Sequence, residues 1–317
     1  MIKSRLLLVL AASLFASLLM GCARPPAAPD PNLVFLRAQA DFPEAWSHDG
    51  KLIAFRRVYP SSYGPPGIYL ISPSGGQPRW LCAATLFWPA RLRFAPDDRT
   101  LFAIDNLSME LINVETGNVW SPLNTNSAVT GGEWVADGKR ILYFRSSFDP
   151  EAPPDSSWMH LLNLETGQDS HVAFDGRELS LESMHTASDG RVAAVENLPT
   201  KQRLVIIDMS RSHSAVIYEP QRMLLLRNLQ WWSRPAVGRK DLVFEMINYV
   251  GWSITPGEAE PVRFVPGWNA FRLMGPDGEA MVLDGTDPHT RVGILDIASV
   301  DDISGASHRH LTSFAPP

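Results

Sequence analysis

Residues 44–56, EAWSHDGKLIAFR, place a Trp before a polar turn on Asp49-Gly50 and an apolar run after it. Asp-Gly between two apolar runs is a strong hairpin signal, because a type I′ turn needs positive φ at both central residues. The stretch recurs. LRFAPDDRTLFAI begins at 92 and GEWVADGKRILYF at 132, with weaker copies MHTASDGRVAAV at 184, WWSRPAVGRKDLVF at 231 and RLMGPDGEAMVL at 272. The turn Asp is residue 49, 97, 137, 189 and 277, and copy five has Gly238 in its turn. Steps of about 40 to 52 residues match the length of one four-stranded propeller unit.

A second element follows each turn: GIYLISPSGG at 67, MELINVETG at 109, MHLLNLETG at 159, LVIIDMSRS at 204, GWSITPGE at 251 and VGILDIAS at 292. Short apolar segments such as PRWLC, VWSPL, SHVAF, AVIYEP and PVRFV come third. Each copy therefore supplies four antiparallel strands. One such sheet cannot bury both of its faces, whereas sheets ringed about an axis cover one another. The expectation is an all-β chain, a six-bladed β-propeller of four-stranded antiparallel blades. Trp46, Phe94, Trp134, Trp232 and Met274 are expected to pack between blades, with Thr186 departing from that pattern. Residues 33–38 are expected to close the ring as an outer strand of the last blade, and RHLTSF at 309 competes for the same place. No long stretch has helical period, which disfavours a helical solenoid.

The string WSHDGKLIAF…IYLISPSGGQPRWL resembles the repeat of TolB-like β-propellers, Trp-Ser-Pro-Asp-Gly-Lys followed by an apolar strand, Ile-Tyr and Gly-Gly. His48 stands where that repeat has Pro. The resemblance runs through nearly all of the chain after its leader, strongest in copies one to three. It implies a propeller that offers the mouth of its axial channel to a protein partner. TolB itself carries a small α/β domain before its propeller, and it is soluble; neither feature is read in this sequence.

The first residues read as a leader. Lys3 and Arg5 precede an uncharged apolar run from Leu6 to Met20, which is shorter than the roughly 20 apolar residues of a spanning helix. Leu19-Met20-Gly21-Cys22 resembles the lipobox of bacterial lipoproteins, in which the Cys thiol takes the lipid. The expected organisation is a signal peptide over 1–21, lipidated Cys22 with a Pro-rich tether over 22–31, and the propeller over 32–317. In that family Asp after the Cys favours the inner membrane, so the resemblance with Ala23 implies the outer membrane, and the expected place is its periplasmic face in a Gram-negative host. Loss of Lys3 and Arg5 moves the formal charge from -6 to -8. An acidic chain is a poor ligand for nucleic acid, whose phosphates need a basic patch. With Cys22 lipidated only Cys82 remains; no internal disulfide is expected, and Cys82 reads as a small buried apolar residue.

Hydrolase and nucleotide motifs are missing: no Gly-x-Ser-x-Gly, His-Glu-x-x-His, Cys-x-x-Cys or Walker loop. No cofactor is expected. His308 and His310 read as a solvated tail rather than a metal site, and DGTDPHT at 284 as a polar connection lacking calcium-loop spacing. One constellation remains. Just before the packing position, the inner strands carry Glu44, Arg93, Glu133, His185, Gln230 and Arg272. They are expected to line the channel, either as a funnel that reads a partner by complementary charge or as a hydrated channel whose charges neutralise one another. Trp231, beside Trp232, is expected to face the axis or the solvent as an aromatic anchor. The main expectation is a non-catalytic scaffold for an envelope protein. The alternative is a propeller that binds or cleaves an envelope glycan or peptide, for which Glu133 and His185 would have to meet. Trp80, Trp88, Trp120, Trp158 and Trp268 could stack on sugars if exposed, but such residues more often fill gaps between blades.

Overall fold

A computed structural model describes residues 41–58, 65–83, 91–104, 108–123, 128–146, 158–221, 225–234, 238–246, 250–263, 271–276, 280–286, 293–299 and 309–310. The expected leader, lipidation site, tether and 33–38 strand lie outside these residues. So do Trp88 and Trp268, together with most of DGTDPHT.

The described residues form six four-stranded antiparallel sheets, each built from consecutive strands. Sheet one holds β1 (Asp41–Trp46), β2 (Ile53–Arg57), β3 (Gly67–Ile71) and β4 (Arg79–Cys82). Sheet two holds β5 (Arg91–Phe94), β6 (Thr100–Ile104), β7 (Met109–Asn113) and β8 (Val119–Trp120). Sheet three holds β9 (Ala128–Trp134), β10 (Arg140–Ser146), β11 (Trp158–Asn163) and β12 (Asp169–His171). Sheet four holds β13 (Leu181–Thr186), β14 (Arg191–Asn197), β15 (Gln202–Asp208) and β16 (His213–Tyr218). Sheet five holds β17 (Arg227–Arg234), β18 (Arg239–Met246), β19 (Val250–Ile254) and β20 (Val262–Arg263). Sheet six holds β21 (Phe271–Met274), β22 (Ala280–Thr286), β23 (Gly293–Ser299) and β24 (Arg309–His310). The first strands of the sheets touch one another in turn, and β21 returns to touch β1. The architecture is an all-β propeller of antiparallel sheets.

The core lies between sheets rather than inside any one of them. Ala45, Ile68, Leu70 and Leu81 of sheet one pack on Leu92, Phe94, Leu101 and Ile112 of sheet two. Phe102 and Leu111 meet Trp134, Ile141 and Tyr143 of sheet three. Leu142 and Met159 meet Met184, Val192 and Val205 of sheet four. Val195 and Leu204 meet Leu242 and Phe244 of sheet five. Cys82 is a free, buried thiol in the first of these interfaces, as a small apolar residue should be. Because both faces of the middle strands are covered, β2 and β3 are buried at every position instead of alternating.

The Asp-Gly turns also join the sheets. Gly50, Gly138 and Gly190 have positive φ of 75°, 69° and 87°. A methyl group on Gly138 would sit 3.6 Å from Pro96, and one on Gly190 3.5 Å from Ala136. In these two pairs the residue before the turn Asp lies against the turn of the next sheet. The same relation closes the circle, with Gly50 3.5 Å from Pro276 by the same measure.

Arg309–His310, the segment that competes for the closing place, pairs with β23 through Ile297↔Arg309 and Asp296↔His310, and the expected 33–38 strand lies outside the described residues. These two residues follow β23 by a short connection, so pairing closes a small loop at low entropic cost. His310 is accordingly part of a sheet.

Candidate functional site

The first strands turn their polar side chains to one cavity of about 310 Å³. Glu44, Arg93, Glu133, His185 and Gln230 line it together, as expected from sequence, with His48, Pro96, Ala136 and Ser188 of the turns nearer its mouth. One of the channel positions owes its direction to a β-bulge: Glu44 falls in the register break between Pro43 and Ala45. An unpaired bulge residue is free to aim its side chain away from both faces of the sheet. Arg272 lies on β21, and its side chain is outside the described set.

Trp231, expected at the axis or in solvent, is partly exposed and is not among the residues that line the cavity. Its indole Nε1 donates to the carbonyl of His185 at 3.0 Å, and the Arg191 guanidinium lies 5.2 Å from its ring centre. Trp134 does the same one sheet pair earlier, donating Nε1 to the carbonyl of Arg93 at 3.2 Å. Trp231 is partly buried against the interface of sheets four and five, and Trp232 is buried. Thr186, the odd residue in its slot, makes the equivalent link by donating Oγ1 to the carbonyl of Trp134. Among the described residues, Trp80 and Trp120 are exposed large rings, on the outermost strands of sheets one and two.

The charged groups are closely engaged. Arg56 of β2, buried, donates Nη2 to Glu44 Oε1 at 3.2 Å. Arg93 donates Nε to Glu133 Oε2 at 3.2 Å and Nη1 to the carbonyls of Glu44 and Leu92 at 3.2 and 2.9 Å. Glu133 Oε1 accepts the N–H of Trp134 at 2.9 Å. Burial pushes the Glu44 carboxyl up to about 7 against the pull of Arg56, Arg93 and Arg91. It also raises Glu133, which Arg93 partly offsets. Burial, with Arg93 and His48, lowers His185 to about 3, so its imidazole is neutral at ordinary pH. Glu44 lies deep in the molecule yet keeps 14% of its side chain exposed, because it borders the cavity rather than solid protein.

Glu133 and His185 share the cavity but make no hydrogen bond with each other. Glu133 is held by Arg93 and Trp134, and His185 Nδ1 accepts the N–H of Trp231 at 3.4 Å. Among the described residues no group of three His, Cys, Asp or Glu side chains could hold a metal ion.

Two site residues escape the sequence reading. Arg56 had only the oddity of a charge inside an apolar strand. His48 had a clearer signal, since it replaces the Pro of the TolB-like repeat. It stands at the cavity with 52% of its side chain exposed, and its Nδ1 lies 2.9 Å from Asp98 Oδ1.

No protein-family model matches the chain, and no curated protein matches it by sequence. Solved structures do. TolB from Acinetobacter baumannii aligns with a TM-score of 0.57 at 13% identity, over 83% of this chain and 61% of that one. The chain thus spans somewhat less than two thirds of that TolB. An oligogalacturonate lyase from Vibrio parahaemolyticus aligns with a TM-score of 0.53 at 15% identity, over 88% and 79% of the two chains. An oligogalacturonate lyase in complex with manganese gives 0.51 at 15% identity, over 86% and 77%. At these identities the likeness is one of fold: an all-β propeller of antiparallel sheets, with TolB among its structural neighbours.

Proposed function

We propose that the chain is a lipid-anchored, six-bladed TolB-like propeller, its six sheets being the blades. In this reading Cys22 holds it to the periplasmic face of the outer membrane. It binds an envelope protein through the mouth of its axial channel and catalyses nothing. The observation that carries the reading is the cavity on which Glu44, Arg93, Glu133, His185 and Gln230 converge, open on the side where His48 and Ser188 stand. Charged groups of both signs around one opening suit recognition by complementary potential.

The second reading, binding or cleavage of an envelope glycan or peptide, draws on the two lyases among the structural neighbours. It is less favoured. An acid–base pair must reach its proton, and Glu133 spends both oxygens on Arg93 and Trp134. The test is cross-linking in intact cells from a photoreactive residue placed at His48, followed by mass spectrometry. A discrete protein adduct supports the partner reading, and labelling by glycan fragments alone supports the second.

A further inference from the structure

We infer that the floor of the cavity holds a carboxylate, delivered by an acidic side chain of the partner segment, between Arg93 Nη2 and His185 Nε2. This rests on the channel-mouth reading and names the group recognised there.

Arg93 commits Nε and Nη1 to Glu133, Glu44 and Leu92. Its Nη2 donates to no described residue, and the side chain is 18% exposed where it borders the cavity. His185 is also incomplete. A neutral imidazole that accepts at Nδ1 carries its proton on Nε2. Nδ1 accepts from Trp231, and no described residue accepts from Nε2. Two donors that border the cavity without a protein acceptor are open to a guest or to water. A carboxylate supplies two acceptor oxygens, and its bonds to a guanidinium are charge-assisted.

The surrounding charge agrees. Arg56, Arg91 and Arg93 all act on Glu44, while Arg93 and His48 act on Glu133. Three guanidiniums therefore face two carboxylates. One of those, Glu44, is half protonated near neutral pH, and in that form can itself donate.

A peptide fits better than an acidic sugar. Sugars are held by open aromatic faces; Phe94 and Trp134 at this cavity are only 3% and 2% exposed, and the partly exposed Trp46 spends its Nε1 on the carbonyl of Gly50. A single extended Asp or Glu side chain can reach the floor without such a platform.

The test is nuclear magnetic resonance of the purified full chain, following the imidazole nitrogens and Nε2 proton of His185. The probes are acetate, acetamide, the blocked peptide acetyl-Gly-Asp-Gly-amide, its Asn counterpart, and digalacturonate. Acetate and the Asp peptide should shift His185 saturably; acetamide and the Asn peptide should not. Binding should be several-fold weaker at pH 8 than at pH 6, as Glu44 ionises. Glu44→Gln, which removes the competing charge, should recover the loss at pH 8. No saturable shift, an equal shift with the neutral probes, or occupancy by digalacturonate with the Asp peptide silent would overturn the inference. Failure here with the His48 cross-link intact removes the carboxylate and leaves the partner reading standing; saturation here without a cross-link does the reverse.

Discussion

The carboxylate of Asp98 accepts the backbone N–H groups of His48 and Asp49, 2.8 and 2.9 Å away, across the boundary between sheets one and two. Asp98 occupies the turn position that Gly fills in copies one, three and four, with φ at +58°. Asp tolerates this conformation better than most residues but still at a cost. Strain in one turn is thus exchanged for a bolt to the next. Asp98→Gly should relieve the strain and lose the bolt, destabilising by about 1 kcal/mol; Asp98→Ala loses the bolt and keeps the strain, costing about 2–3 kcal/mol. Urea unfolding of both variants checks the order, and equal losses would refute the bolt.

Arg57 of β2 donates Nε and Nη2 to the two oxygens of Asp41 at 2.8 Å each, with side chains 3% and 0% exposed. Its guanidinium lies 4.7 Å from the ring centre of Tyr69. Removing one partner of such a pair leaves a buried charge uncompensated. Asp41→Ala should therefore cost about 3–5 kcal/mol, and Asp41→Ala combined with Arg57→Met should cost less than Asp41→Ala alone. Additive losses in this double-mutant cycle would show that the two residues do not act as a pair.

Two channel residues give opposite pH signatures. Glu44 is raised from 4.5 to about 7, so the stability it contributes is full below pH 4.5 and is lost as pH rises through about 7. His185 is lowered from 6.5 to about 3, so its contribution is full above pH 6.5 and is lost as pH falls towards 3. Glu44→Gln should flatten the stability profile between pH 5 and 8 by about 2 kcal/mol, and His185→Gln should flatten it on the acid side. Denaturant midpoints across pH measure both. Profiles parallel to wild type would mean that neither group is held as described.

Gly132 illustrates a constraint that no turn explains. A methyl group there would sit 2.4 Å from the Cζ of Phe102, a ring with no exposure at an interface between sheets. Gly132→Ala should cost about 1–3 kcal/mol by overpacking. Gly132→Ala with Phe102→Leu should recover part of the loss in thermal unfolding. A neutral single substitution would contradict so close an approach of the two sheets.

Much of this fold was legible because its signals are local. An Asp-Gly turn and an apolar run declare a hairpin, and near-identical strings such as MELINVETG and MHLLNLETG declare a repeat. The channel residues Glu44, Arg93, Glu133, His185 and Gln230 followed from their places beside the packing residues. Non-local relations were harder to read. The two-residue strand Arg309–His310 has no apolar pattern of its own and is defined only by its pairing with β23. Alternation alone did not show that the Trp231 indole reaches the carbonyl of His185 in the neighbouring sheet. Arg56 reaches Glu44 from a neighbouring strand, a relation that register alone reveals.

The most direct measurement is photo-cross-linking in intact cells from two positions compared side by side: His48 at the channel mouth and Val216 on an outermost strand, 46% exposed. A partner that docks on the mouth predicts one discrete adduct from His48, abolished by Arg93→Glu, and none from Val216. Adducts from Val216 with none from His48 would contradict it.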